Sequence, residues 1–406
     1  MDFTIPPQIA RLRELIRSFL EERVLPREQA WLRWEEEHFP ACVEDSDEIR
    51  TLQAEARTMG VWAGHLPKEA GGMGLRVVEY GLLNEVIGRS IFAPRIFGSN
   101  APDSGNAELL WHFGTAAQKV LFFWPLQRAE VRSFFGMTEP EVSGSDPTEL
   151  QTIAVRDGNE WVIDGHKWFS SNANGAAFGI VMAATEKDAP PHRRYSQILV
   201  PADSPGLRLV RPVSVMGHSA GPGHWEVRFE GCRVPLENTL GEPGQGFALA
   251  QARLGPGRIH HCMRWIGQAQ LALERMCAYA KTRRAFGGPL AEKQTVQNWI
   301  AESAAEIEAA RLLTLQAAWR IDELGAKEAR ADISLIKFFG AKVLLDVLDR
   351  AIQVHGGLGV SDDTPLAFMW RQARGARIYD GPDEVHKLVV ARERLKDDGG
   401  RRKGDA

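Results

Sequence analysis

Phe134-Phe135-Gly136-Met137-Thr138-Glu139-Pro140-Glu141-Val142-Ser143-Gly144-Ser145-Asp146 marks the point where one hydrophobic periodicity gives way to another. Before it, from Ile9 to about Gln127, apolar residues recur at helical spacing: Ile9, Leu12, Ile16, Phe19 and Leu20, or Val78, Leu82, Val86 and Ile87 before Gly88. That spacing puts them on one helix face, so the first third is expected to be helical. After about Val131 the chain breaks into short runs. Asp157-Gly158 separates two of them, Trp161 alternates with Ile163, and Gln197–Val200, Leu207–Val210 and Trp225–Phe229 are divided by Pro, Gly and Ser. The middle third therefore reads as strands. From about Gly246 the helical period returns in long segments, including Trp299–Leu324 and Ile333–Val354, as a helical bundle requires. Strands and helices segregate instead of alternating, which predicts a multidomain α+β fold and argues against a Rossmann-type sheet.

The length of 406 residues exceeds what one hydrophobic core usually serves, so two or three domains are expected. Hydrophobic residues make 44% of the chain and charged residues 25%, ordinary values that exclude a disordered or fibrous class. The net charge of -4 is spread along the chain, which gives no electrostatic reason to expect nucleic acid or an anionic membrane as partner. Cys42, Cys232, Cys262 and Cys277 show no paired spacing, which argues against a zinc site or a disulfide framework and fits a reducing compartment. Acidic residues Glu14, Glu21 and Glu22 interrupt the N-terminal stretch, so no targeting signal is expected. No window of about eighteen apolar residues occurs, so membrane insertion is not expected and the location expected is cytoplasmic.

Four segments carry chemistry when taken together. The opening stretch offers small hydroxylated residues and backbone amides suited to a polar ring edge or a pyrophosphate, although alone it reads more readily as an ordinary Pro/Gly/Ser loop. Gly165-His166-Lys167-Trp168-Phe169-Ser170-Ser171-Asn172 sets two aromatics beside two hydroxyls, a pattern for a flat heteroaromatic ring or for the end of a core strand. Arg283-Arg284-Ala285-Phe286-Gly287 provides the forked donors that match diphosphate oxygens, or else a solvated helix end. The fourth pairs Gln353-Val354-His355-Gly356-Gly357 with Ile378-Tyr379-Asp380-Gly381-Pro382-Asp383-Glu384, where a carboxylate precedes a glycine and is a candidate general base. His260 and His261 are discounted as a metal pair, because neighbours on a helix point about 100° apart. The twelve Trp, among them Trp31, Trp34, Trp62, Trp111 and Trp124, fall mostly at helical core positions. Gly71-Gly72-Met73-Gly74 follows no strand and is not expected to cradle phosphate.

In order and spacing, from about Pro7 to Arg394, these segments resemble the acyl-CoA dehydrogenase family. Further landmarks are Gly60-Val61-Trp62, Glu69 to Gly74, and Gly241-Glu242-Pro243-Gly244-Gln245-Gly246-Phe247. Leu254-Gly255-Pro256-Gly257-Arg258-Ile259-His260-His261-Cys262-Met263-Arg264 and Asp380 to His386 are most similar to the branch of family members ten and eleven. Those relatives carry an added kinase-like domain, which this chain is expected to lack. The resemblance implies an N-terminal all-α domain (1–130), a middle β-barrel (131–242), a C-terminal four-helix bundle (243–396) and a flexible tail (397–406). It implies FAD bound by Phe135, Met137, Thr138, Ser145, Phe169, Ser171, Arg283, Phe286, Gln294, Gln353, Gly357, Pro382 and Glu384. Of these, Arg283, Phe286, Gln294, Gln353 and Gly357 match positions that reach a neighbouring subunit's FAD, so a homodimer or homotetramer is implied. Ser145, Arg258 and Gly381 would contact an acyl-CoA substrate, and electrons would pass to an electron-transferring flavoprotein.

Two departures from the family pattern stand out. The flavin-facing aromatic, commonly Trp, is Phe169, which keeps stacking but loses the indole donor. The base, commonly Glu, is Asp380, one methylene shorter, while a misplacement of about 1 Å can cost roughly a hundredfold in rate. Some members carry the base on the first long helix of the bundle, at a position matching Gly257, which leaves Asp380 as the base here. The implied reaction is α,β-dehydrogenation of the thioester to a trans-2-enoyl-CoA. The alternatives are an acyl-CoA oxidase or flavin monooxygenase on the same fold, and a catalytically silent acyl-CoA-binding protein.

Overall fold

The computed structural model describes residues 4–219 and 221–396, so the tail expected from Asp397 to Ala406 lies outside the described residues. Helices occupy the chain from Pro7 to Gln127, strands from Arg132 to Leu240, and helices dominate again from Gly246 to Arg394. The chain forms two compact units. One runs to Leu83 and resumes over Ser90–Gly257; the other comprises Asn84–Arg89 and the described residues from Arg258 to Lys396.

In the first unit the strands are β1 (Arg132–Gly136), β2 (Ile153–Asp157), β3 (Glu160–Ser171), β4 (Ala176–Ala184), β5 (Tyr195–Pro201), β6 (Leu207–Pro212), β7 (His224–Pro235) and β8 (Thr239–Leu240). Among the described residues they form one eight-stranded sheet in the order β6-β7-β3-β2-β4-β5-β8, with β1 parallel to β4. The β2–β3 hairpin closes where Asp157-Gly158 predicted it, with Asp157 opposite Glu160 and Gly158 at φ 63°, a left-handed turn that favours glycine. The period-two alternation turns Trp161 and Ile163 inward onto Ala154, Val181, Ile198, Val227 and Val234. On the helical side, Trp62, Leu66, Leu109, Leu110 and Phe123 pack with Phe178, Ile180 and Leu199. Each side chain of this size contributes roughly 1.5–3 kcal/mol when buried. Gly71 and Gly72 end a turn at Ala70, and a Cβ at Gly72 would meet the Leu66 carbonyl at 2.2 Å, so this glycine serves close packing. Trp34 departs from the expected core role: it is exposed and stacks on His38 at 4.6 Å.

The same inward alternation brings Lys167 of β3 into the core with 0% exposure. Its ammonium donates to Glu139 Oε1 at 2.7 Å and to the Met137 carbonyl at 3.0 Å. The Glu139 carboxylate also accepts the N–H groups of Gln151 (2.5 Å) and Thr152 (2.9 Å). Burial pushes the lysine down to about 8, with Glu139 pulling the other way. Burial alone would raise Glu139, but Lys167 and the amide donors outweigh it and hold the carboxyl below its ordinary value. The stability that Glu139 contributes is therefore present above the ordinary carboxylate range and lost as acid titrates it through its lower folded value.

In the second unit, helices Gln294–Leu324 and Arg330–His355 pack on each other, and Leu366–Arg374 and Asp383–Arg394 pack on the latter. Arg330–His355 is buried along Ile333, Ile336, Gly340, Ala341, Leu344, Val347, Leu348 and Ala351, with Lys337 set among them. Among the described residues no helix is long and apolar enough to cross a membrane.

Removing one member of a buried ion pair strands the other. Lys167→Met should lower stability by about 3–5 kcal/mol in urea unfolding. Adding Glu139→Gln, which removes the stranded charge but keeps an amide oxygen for Gln151 and Thr152, should restore part of that loss.

Candidate active site

One candidate wall belongs to the first unit. Strand β1 ends at Gly136, and the segment that follows is held by the Lys167–Glu139 pair and by the Thr138 carbonyl, which accepts the Trp168 N–H at 3.0 Å. Asp146 caps the far side by accepting from the Thr148 N–H at 3.1 Å and hydroxyl at 2.6 Å. Between these anchors Ser143 and Ser145 pair their hydroxyls at 2.7 Å on the surface. Phe135 lies half-buried under the Arg253 guanidinium, 4.5 Å from its centroid. Phe169 adopts φ 49°, which turns its ring out to 41% exposure, and packs edge-on to Trp168 at 4.9 Å. Ser171 Oγ lies 2.8 Å from His224 Nδ1, and burial holds that imidazole below its ordinary value, hence neutral near pH 7. Trp168 Nε1 and Ser170 Oγ are buried without a hydrogen-bond partner among the described residues. The structure thus brings Phe135, Met137, Thr138, Ser145, Phe169 and Ser171 into one unit, an exposed aromatic ring beside hydroxyls and amides. This donor set fits a flat, polar-edged heteroaromatic ring.

Asp380 belongs to the second unit. It adopts φ 55°, a conformation few residues other than Gly, Asn and Asp tolerate. Its carbonyl accepts from Arg258 Nε (3.1 Å) and Nη2 (2.9 Å) and from His386 Nε2 (3.1 Å). Burial and the nearby Arg258 charge push His386 down to about 4, so it is a neutral donor. Gly381 follows at φ 98°, and a Cβ there would meet His386 Nε2 at 2.8 Å. Its carbonyl accepts from Lys337 Nζ at 2.8 Å, and the same ammonium reaches the Ala376 carbonyl at 2.6 Å. Burial pushes Lys337 down to about 8, opposed by the charge of Asp380. Pro382 is the N-cap of Asp383–Arg394, Asp383 is buried against Arg377 (2.6 Å), and Glu384 is exposed. The Asp380 carboxylate keeps 24% exposure, and its Oδ2 lies 3.2 Å from His261 Nε2.

The remaining candidates line exposed parts of the second unit. Arg283 follows the helix Gly246–Thr282 and precedes a short hairpin, Arg284–Ala285 against Gly288–Pro289, with Phe286 98% exposed at its tip. Gln294 opens the helix Gln294–Leu324, and Gln353 and Gly357 flank the end of Arg330–His355; all three are exposed. Arg258, expected against substrate, has its guanidinium on the Asp380 backbone. In the sequence Lys337 was passed over, and His261 was weighed only as half of a metal pair. A lysine inside the apolar run Ile333–Leu344 was the available signal for Lys337, but His261 had none, since Asp380 lies far along the chain.

Comparison with known proteins follows the same order of blocks. Family profiles for the acyl-CoA dehydrogenase N-terminal, middle and C-terminal domains match residues 6–130, 134–232 and 244–395. The chain is 44% identical over 398 residues to a probable acyl-CoA dehydrogenase of Mycobacterium tuberculosis, covering 97% of each. It is 42% identical to acyl-CoA dehydrogenase family member 11 of Rattus norvegicus, over 97% of this chain but 53% of that protein, so it spans about half the length of this relative. A Mycobacterium abscessus structure provisionally described as an acyl-CoA dehydrogenase superposes with a TM-score of 0.92 at 41% identity, covering 97% of this chain and 99% of that one.

The turn at Asp380 depends on Gly381. Gly381→Ala combines an unfavourable φ with a contact to His386 and should cost about 1–3 kcal/mol. Gly357→Ala, whose added Cβ meets nothing within 4 Å among the described residues, should leave the thermal midpoint nearly unchanged.

Proposed function

This chain belongs to the acyl-CoA dehydrogenase family, and on that premise we propose that it binds FAD and converts an acyl-CoA thioester to a trans-2-enoyl-CoA, with Asp380 as the base. The observation that carries the reading is Asp380 itself, a carboxylate fixed in a left-handed turn by three donors on its own carbonyl. Its bond to Arg258 draws the guanidinium onto the backbone and leaves the carboxylate to act as an acceptor. FAD is supported by the first unit's wall of aromatic rings and hydroxyls, where Phe135, Met137, Thr138, Ser145, Phe169 and Ser171 would hold it. When bound, the flavin supplies the acceptor for the hydride that leaves the β carbon.

The carboxylate of Asp380 takes the α proton, and the electrons of that C–H bond form the new double bond as the hydride departs. An α C–H beside a thioester is a weak acid, so the developing enolate oxygen needs donors; the Asp380 backbone N–H is the donor we assign. Substrate that shuts water away from the partly exposed carboxylate makes it a stronger base. Ser145, Arg258 and Gly381 are assigned to the substrate side, with Pro382 and Glu384 following the base on the cofactor side. The electrons then pass to an electron-transferring flavoprotein.

The hairpin with Phe286 at its tip supports a homo-oligomer. Phe286 is 98% exposed in the single chain, which leaves its ring available to pack on a neighbouring subunit. We assign Arg283, Phe286, Gln294, Gln353 and Gly357 to the FAD of a neighbouring subunit in a dimer or tetramer.

Purified protein should be yellow, and anaerobic titration with a panel of acyl-CoAs should bleach the flavin band stoichiometrically. Asp380→Asn, which keeps shape and the tolerated left-handed backbone, should retain FAD and acyl-CoA binding while the rate of bleaching falls about 10²–10⁴-fold. Bleaching at the native rate would remove Asp380 from the chemistry. Phe286→Ser should shift the assembly towards monomer in sedimentation and weaken FAD retention together; tight FAD in a folded monomer would contradict the assignment across subunits.

A further inference from the structure

The carboxylate of Asp380 is held by more than its backbone. Its Oδ2 lies 3.2 Å from His261 Nε2, and the other ring nitrogen, Nδ1, lies 3.0 Å from Arg264 Nη2. A guanidinium only donates, so Nδ1 accepts, and a neutral imidazole must then carry its hydrogen on Nε2, aimed at Asp380. Arg264 is itself buried and fixed by Nη1 on Asn84 Oδ1 at 2.9 Å. The imidazole is flanked by Trp265 at 6.3 Å and Tyr379 at 5.9 Å between centroids. His261, Arg264 and Trp265 stand at i, i+3 and i+4 on one helix, which presents them to a common side.

We propose that His261 is a positioning residue for Asp380, donating Nε2–H to Oδ2 so that the one-methylene-shorter carboxylate is fixed in a single orientation for proton abstraction. The role rests on the reading of Asp380 as base. His261 orients and does not relay the proton, because protonating Nδ1 would drive an N–H against the Arg264 guanidinium. The cationic groups that face Asp380 beside it are Arg258 on the same helix and Lys337 on Arg330–His355. Cys262, Tyr379 and His386 also face Asp380, and His386 is itself kept neutral by burial and Arg258. Arg264 therefore does for His261 what a carboxylate does in a catalytic triad, with the opposite sign: it fixes the tautomer by donating to the ring instead of accepting from it.

The test uses the full-length holoenzyme. His261→Leu removes the donor, whereas His261→Gln keeps an amide N–H near the Nε2 position. His261→Leu should slow flavin reduction by roughly 10–100-fold with little change in the acyl-CoA concentration that half-saturates it, and His261→Gln should recover most of the rate. Losing a hydrogen bond to the charged carboxylate should also move the acid limb of the pH–rate profile to higher pH in the Leu variant. A readout apart from turnover is ¹⁵N NMR of histidine-labelled protein. His261 should show protonated Nε2 and unprotonated Nδ1 near neutral pH, and its Nε2 signal should shift in Asp380→Asn. A native rate and pH profile in His261→Leu, with Asp380→Asn slow, would overturn positioning while leaving the base intact. A protonated Nδ1 would overturn it directly. Fast reduction in Asp380→Asn would instead bring down the base assignment and the role with it, while the NMR signature still reported the bond.

Discussion

A lysine ammonium buried away from water needs oxygens inside the protein to accept its N–H groups, and each unit sets one such group against two of them. In the first unit Lys167 draws the Met137 carbonyl and Glu139 onto strand β3. In the second, Lys337 draws the Ala376 and Gly381 carbonyls onto the helix Arg330–His355. Burial pushes both ammonium groups down to about 8, a measure of how strongly the interior resists the charge. The resistance is tolerable only because their oxygen partners lie within hydrogen-bonding distance. In both cases the partner segment is the one that carries the candidate chemistry: the loop with Thr138 and Ser145, and the turn with Asp380.

The turn illustrates how local strain is sustained. Asp380 and Gly381 both sit at positive φ, at φ 55° and 98°, and their two carbonyls are fastened by Arg258, His386 and Lys337. A strained conformation persists when the surroundings over-determine it, and four hydrogen bonds to two consecutive carbonyls do so. A shorter carboxylate has fewer torsions to fix than a glutamate, so an external donor such as His261 has more leverage over where its oxygens lie. Aspartate also suits this backbone, since its side chain is among those that tolerate the left-handed region.

The two candidate sites differ in how legible they were. The segment around Phe169 stood out as two aromatics beside two hydroxyls, and the family resemblance singled out Phe169 and Ser171; both lie at the end of β3, where the Phe169 ring is exposed. The neighbouring Lys167 lay within the same quoted segment yet drew no weight, because its meaning comes from Glu139, 28 residues earlier. Adjacent helical residues diverge, which set His260 and His261 aside as a metal pair, yet the same divergence lets each face a neighbour of its own, as His261 faces Asp380.

What the sequence determined by itself is whatever depends on near neighbours. Hydrophobic spacing of two or three to four residues decided which segments became strands and helices, and Asp157-Gly158 decided a hairpin, because the forces involved act within a turn or a rung. The order of motifs likewise identified the family. Only the tertiary structure decided that Arg258 would bind a carbonyl 122 residues away, that Lys167 would be buried against Glu139, and that His261 would meet Asp380. Buried polar groups must be paired wherever the fold leaves them, and the spacing of residues along the chain carries no record of which oxygen will be within 3 Å.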